Sequence, residues 1–356
     1  MKILLVFPLH STNTGDKVIL LGTENILKEA FGEVEFSYLG FKNESVNLDI
    51  KNISDDTDLI VVAGTPWFWE ACHRSPKYVQ LMDIACVEIK KVGLGLGSCY
   101  PLNTSILKTY IYPDMVAVEK GGGDWRHADM VQIQDRFGKF DLLFTRDPVA
   151  QELLKTAGLE SYETVCPAVF AYKFDKPLVK NKPLLIFQNP VVGISSESCD
   201  TNFVKQYIDF QLALMDKYNM EVRTTSPVDS DWLRDVVKLK CERVDDGGVP
   251  YSTWIKTPEE LLLVLKQFNP VISCRVHTAI PSRALGNLTY ILPMDTRFLV
   301  ATKIGVLPLW TYGYPLGAGI VDFDITDLDL DKLNAFTKDK IEEGRNLMIE
   351  KLRRLM

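Results

Sequence analysis

Arg275 and His277 stand two residues apart in Val271-Ile-Ser-Cys-Arg-Val-His277, where a short apolar run gives way to a helical pattern that closes at Gly286. The run predicts a buried strand, so the guanidinium and the imidazole fall in the turn that hands the strand over to the helix. In an open α/β sheet, ligands bind at that edge. The helix N-terminus beyond it offers unpaired N–H groups and a partial positive charge. The combination predicts a site for a phosphate or carboxylate with a proton donor beside it. A helix N-terminus lowers an imidazole's proton affinity and a bound anion raises it, so the ligand itself would make His277 an acid. The plainer alternative is that His277 packs or caps at the helix start and Arg275 makes a surface ion pair.

Arg146, in Phe144-Thr-Arg-Asp147, occupies the matching position earlier in the chain: a strand end, then a helix opening with Asp-Pro. It either pairs with Asp147 across the turn or reaches toward the same anion, where a planar guanidinium suits a carboxylate or phosphate. The first loop carries Asn13-Thr-Gly-Asp16. Asp16 is expected as the helix cap and Gly15 as the tight turn, in a loop where α/β domains also hold ligands. Trp67 and Trp69 follow another strand end, as core residues or as faces for stacking on a sugar ring. Gly121-Gly-Gly-Asp124 has no Gly-Lys-Ser/Thr after it, so it is a connection or a lid and not a phosphate loop. His10 and His73 have no evident partners.

Alternating strands and helices must position these residues. Strands are expected over Ile3–Phe7, Leu59–Ala63, Lys91–Gly97, Leu142–Thr145, Leu184–Phe187, Glu221–Thr225, 271–274 and 289–293. Helices are expected after the first loop, over 148–157, 201–218, 230–240, 258–267 and 277–285, with a long charged one from Asp329 to Met356. Such alternation builds doubly wound parallel sheets. At 356 residues the chain exceeds one ordinary core. The charged, proline-bearing stretch 172–183 marks the junction, giving domains 1–175 and 176–328, with 329–356 a helix that packs back on the first.

Composition narrows the partners. A net charge of −7 argues against broad nucleic-acid binding, so any anion must be captured by a few placed residues. The seven cysteines form no CxxC pair, and with four histidines they offer no zinc-like spacing. No metal or other cofactor is expected. No apolar run is long enough to span a membrane, and scattered reduced thiols point to the cytoplasm. The oligomeric state is not legible.

Taken together, these motifs resemble the polysaccharide pyruvyl transferase family. The similarity rests on Asn13-x-Gly15-Asp16, the Gly-x-Gly-x-Gly at 93–97, Arg146-Asp147 before a helix, and Ile272-Ser-Cys-Arg-Val-His277 with Ala279 and Gly286 beyond, all in order. The chain departs from the pattern at Thr65, where a second glycine is common, at Cys166, where aspartate is common, and near Arg297, where lysine is usual. The resemblance implies two Rossmann-like domains facing a cleft, as in GT-B glycosyltransferases. It implies transfer of pyruvate from phosphoenolpyruvate to a saccharide acceptor, free or lipid-linked, as a ketal with release of phosphate. Arg146, Arg275 and His277 become donor-site residues, with Val276 and Arg297 beside them and His277 the general acid. Asn13, Gly15, Asp16, Trp67 and Trp69 become acceptor or cleft residues. The competing expectations are a nucleotide-sugar glycosyltransferase of the same architecture and a catalytically silent glycan-binding relative.

Overall fold

Strands that are apolar without alternation have to be covered on both faces. Ile3–Phe7 and all of Leu59–Ala63 meet that condition, each residue being buried. The computed structural model describes residues 1–8, 11–40, 53, 56–64, 66–68, 84–99, 130–173, 182–189, 201–240, 254–309 and 329–356. Among them β1 (Lys2–Phe7), β2 (Glu35–Gly40), β3 (Leu59–Ala63), β4 (Pro66–Phe68), β5 (Lys90–Ser98), β6 (Leu142–Thr145) and β7 (Tyr162–Glu163) form one sheet in the order 2-1-3-5-6-7, with β4 beside β5. A second sheet, in the order 12-11-10-8-9, is made by β8 (Leu184–Ile186), β9 (Glu221–Arg223), β10 (Val271–Ser273), β11 (Thr289–Ile291) and β12 (Leu307–Pro308). Every pairing in both sheets is parallel.

The helices follow the strands as parallel crossovers require. The first sheet carries α1 (Thr14–Phe31), α2 (Met130–Phe137) and α3 (Pro148–Thr156). The second carries α4 (Thr201–Lys217), α5 (Pro227–Lys240), α6 (Pro258–Gln267), α7 (Val276–Ala284) and α8 (Phe298–Thr302). Thr257 caps α6, its Oγ1 accepting from the Glu260 N–H at 3.2 Å, while Glu260 Oε2 accepts from the Lys256 N–H at 2.7 Å. The strands β2, β4, β7 and β12, which the sequence did not announce, are edge or two- to three-residue pieces without a continuous apolar run.

The strands of the first sheet end at Glu163 and those of the second begin at Leu184. The junction expected at 175/176 lies outside the described residues. The last helix, α9 (Leu330–Leu355), lies against α1, with Arg353 Nε donating to the Ala30 carbonyl at 2.9 Å. It also engages the second unit. Arg283 of α7, fully buried, donates to Thr337 Oγ1 at 2.9 Å and to Asn334 Oδ1 at 2.8 Å. One hydrophobic cluster runs from α1 through the turn Pro167–Phe170 to α7, so the helices that carry the first loop and His277 share a core.

Candidate active site at the start of α7

The βαβ unit of β10, α7 and β11 brings Arg275 and His277 to the carboxyl edge of the second sheet. Arg275 is the N-cap residue of α7 but makes no side-chain cap bond, so the first turn of the helix keeps free donors for an anion. Arg275, Val276 and His277 line a small cleft, partly open to solvent, with Asn13, Gln188, Asp295 and Arg297 on its other walls. His277 is 7% exposed and faces this cleft, not the hydrophobic interior.

Its imidazole is held from two sides. Arg146 Nη1 lies 2.9 Å from Nε2. A guanidinium has no acceptor, so Nε2 must be the accepting nitrogen and Nδ1 carries the proton. That Nδ1 faces Asp16 Oδ1 at 3.6 Å. Burial pushes the proton affinity of His277 down to about 4; Asp16 opposes this, while Arg146 and Arg297 add to it. In the free protein the ring is therefore neutral at pH 7.

The first loop is built around this ring. Asn13, not Asp16, is the cap of α1: its Oδ1 accepts from the Gly15 N–H at 3.1 Å, and the helix begins at Thr14. The expectation that Asp16 caps the helix is corrected, because Asn is an equally good cap and stands at the turn itself. Asp16 is freed to face His277, and Ser11 Oγ donates to its Oδ2 at 2.5 Å. Gly15 is needed for close approach: a Cβ there would stand 2.7 Å from His277 Cβ. Thr14 ties the loop to the second unit, its N–H donating to the Thr225 carbonyl at 2.9 Å and its hydroxyl to the Ile255 carbonyl at 2.5 Å.

Arg146 comes from the end of β6 and is fully buried. It does not pair with Asp147. That carboxylate caps α3 through the Ala150 N–H (2.8 Å) and holds Ser98 through its N–H (2.8 Å) and hydroxyl (2.9 Å). Burial raises the Asp147 proton affinity, and those donors oppose the rise without cancelling it. Arg146 Nη1 also donates to Cys166 Sγ at 3.7 Å; Nε and Nη2 have no hydrogen-bond partner among the described residues. The group lies against Gly97, where a Cβ would meet Nε at 2.2 Å. The last glycine of the 93–97 segment is therefore the bed of a guanidinium.

The other two cations are anchored by acids that the sequence did not single out. Arg275 Nη2 is bonded to Asp229 Oδ2, a fully buried carboxylate whose Oδ1 accepts from the Asn189 N–H at 3.0 Å. Gln188, with its amide oriented to satisfy both ends, accepts from Arg275 Nη1 at 3.3 Å and donates to the Cys274 carbonyl at 2.6 Å. Arg297 is chelated by Asp295, with Nε at 2.8 Å from Oδ1 and Nη2 at 2.5 Å from Oδ2. Burial opposes the Arg297 charge, but Asp295 outweighs it and holds the group protonated. Asp295 was missed although it stands two residues from its partner, a spacing that offers a local pair; Asp229, 46 residues from Arg275, left no signal in the spacing.

Trp67 does not line the cleft. It is fully buried, donates from Nε1 to the Gly64 carbonyl at 2.8 Å and meets Phe137 edge-on, so its assignment to the cleft is corrected to the core of the first sheet. An indole whose N–H is satisfied packs there without penalty. Trp69, His10, His73 and the 121–124 glycine loop lie outside the described residues. No helix among the described residues is long and apolar enough to cross a membrane.

Two parallel, Rossmann-like sheets whose strand ends meet over a cationic cleft define an α/β protein of the GT-B-like class. Solved structures match this chain at low identity. S. aureus MnaA, in its UDP co-structure, matches with a TM-score of 0.50 and 10% identity over 100% of this chain and 90% of that one. The UDP-GlcNAc 2-epimerase of Methanocaldococcus jannaschii gives 0.49 and 11% over 97% and 94%. No curated protein matches. The sequence model of the polysaccharide pyruvyl transferase family matches residues 13–286, and the chain belongs to that family.

Proposed function

We propose that this protein transfers pyruvate from phosphoenolpyruvate to two hydroxyls of a saccharide, forming a cyclic ketal and releasing phosphate. The observation that carries this is Arg146: a fully buried guanidinium, bonded to His277 Nε2, whose Nε and Nη2 have no hydrogen-bond partner among the described residues. Buried donors of this kind carry a desolvation penalty until an anion meets them. The uncapped start of α7, Arg275 and Arg297 line the cleft that His277 also lines. A small donor with a carboxylate and a phosphate matches this charge.

The steps balance as follows. His277, protonated once donor is bound, gives its proton to the methylene carbon, and the adjacent carbon becomes electrophilic. A sugar hydroxyl attacks that carbon and gives up its proton, which replaces the one His277 lost. Phosphate leaves with the C–O bonding pair, a second hydroxyl closes the ketal, and the second hydroxyl proton leaves with phosphate. Arg146 and Arg275 hold the two anionic groups, and Arg297, fixed by Asp295, contributes positive potential to the cleft. Asn13, which lines the same cleft, is assigned to the acceptor. The acceptor is a glycan precursor, free or lipid-linked, and the reaction belongs in the cytoplasm; the four free thiols among the described cysteines fit that reducing compartment.

Thermal denaturation with different ligands tests the reading. Phosphoenolpyruvate at about one hundred times its Kd should stabilise the fold by about 2.7 kcal/mol, and UDP- or GDP-sugars should not. Stabilisation by a nucleotide sugar with none by phosphoenolpyruvate would replace it with a glycosyltransferase.

A further inference from the structure

The reading above needs a proton on a ring that the free protein keeps neutral, and the second face of that ring shows how the change is managed. We propose that Asp16 is a positioning residue for the proton that His277 delivers: its carboxylate, fastened by Ser11, orients Nδ1–H in the free protein and holds the imidazolium once an incoming anion draws Arg146 off Nε2. This rests on the proposed donor reaction but concerns residues that can be tested without it.

The geometry places the two influences on opposite nitrogens. Arg146 Nη1 donates to Nε2 at 2.9 Å, which occupies the very lone pair a proton would need. Asp16 Oδ1 stands 3.6 Å from Nδ1, longer than a hydrogen bond, as a charge facing a ring N–H. Ser11 Oγ, at 2.5 Å from Oδ2, fixes the carboxylate so that Oδ1 is the oxygen aimed at the ring. Gly15 allows α1 to approach His277 this closely. The charged groups acting on the ring are Asp16 from α1, Arg146 from the end of β6, and Arg297 from the turn before α8. Burial is the largest influence against the imidazolium, and of these three charged groups Asp16 favours it; removing Arg146 from Nε2 therefore shifts the balance toward protonation. An anion that meets Arg146 Nε and Nη2, which have no partner among the described residues, competes with Nε2 for the guanidinium. Donor binding and acid loading thus become one event, and an empty site stays unprotonated.

Imidazole nitrogen NMR on histidine-labelled protein tests this. The chain has four histidines, and a His277→Gln spectrum identifies the signal. In the free wild type the Nδ1–H tautomer is expected; an Nε2–H tautomer would overturn the proposal even if no variant folds. Without ligand, Arg146→Met should raise the pH at which His277 titrates by about one unit or more, and adding Asp16→Asn should lower it again by about one unit. Equal titration of Arg146→Met and the double variant overturns the role of Asp16. With phosphoenolpyruvate as the probe, His277 of the wild type should titrate at higher pH than in the free protein. A failure of phosphoenolpyruvate to bind removes the proposed function, while the ligand-free comparison still decides Asp16.

Discussion

Replacing Gly97 by alanine isolates the seat of Arg146 from everything else in the site. The new Cβ would lie 2.2 Å from Arg146 Nε, 2.8 Å from Nη2 and 2.9 Å from Cζ. To reach the 3.4 Å of ordinary contact, Nε must retreat by about 1.2 Å. The backbone at Gly97 does not adopt a positive φ, so alanine fits the strand itself, and the obstructing atoms are the end of a flexible side chain. The fold should survive with a small change in melting temperature. The 2.9 Å contact to His277 and the approach to a donor anion should not survive. Losing one charge-assisted hydrogen bond costs about 1.5–3 kcal/mol, so phosphoenolpyruvate affinity should fall about 10- to 100-fold by calorimetry. In an Arg146→Met background the same substitution should add less than about 0.5 kcal/mol, because its target is gone. Wild-type affinity in Gly97→Ala, or an equal loss in both backgrounds, refutes the reasoning.

Other consequences are as direct. Arg275→Ala should weaken phosphoenolpyruvate binding and also destabilise the fold by about 3–5 kcal/mol in urea, since it strands the buried Asp229; Arg275→Ala/Asp229→Asn should recover part of that stability, and no recovery would show the pair is not coupled. His277 titrates near 4 in the folded protein against a usual 6.5, so the unfolded chain binds the extra proton between those values. Its contribution, on the order of 3 kcal/mol, is complete above pH 6.5 and is lost as pH falls toward 4. His277→Gln should flatten the melting temperature across that window and abolish phosphate release with donor still bound; an unchanged pH slope would contradict the buried neutral ring. Trp67→Ala should cost about 3–5 kcal/mol of stability by opening a core cavity, and a selective loss of acceptor use at unchanged stability would return Trp67 to the cleft.

What the sequence made legible follows physical range. The strands at Ile3–Phe7 and Leu59–Ala63 were visible because burial on both faces leaves an uninterrupted apolar run. The Asp147 cap was visible in the Asp-Pro that opens its helix, because a cap is a bond between residues three apart. Arg146, Arg275 and His277 were singled out by their position at strand ends, and the structure brings Arg146 and His277 into contact across 131 residues. The contact itself could not be read, nor could the bed that Gly97 provides or the anchor that Asp229 gives Arg275, because each depends on how one crossover packs on another. Trp67 illustrates the converse: an aromatic at a strand end looks the same in sequence whether its ring turns to the cleft or, as here, to Phe137.

A crystal structure of the protein with phosphoenolpyruvate bound is the most direct test of the account. The donor is expected in the cleft at the start of α7, with its anionic groups on Arg146 and Arg275 and its methylene carbon within reach of His277 Nε2. A donor held elsewhere, or one bound with Arg146 still on Nε2 and the methylene turned from the imidazole, would contradict it.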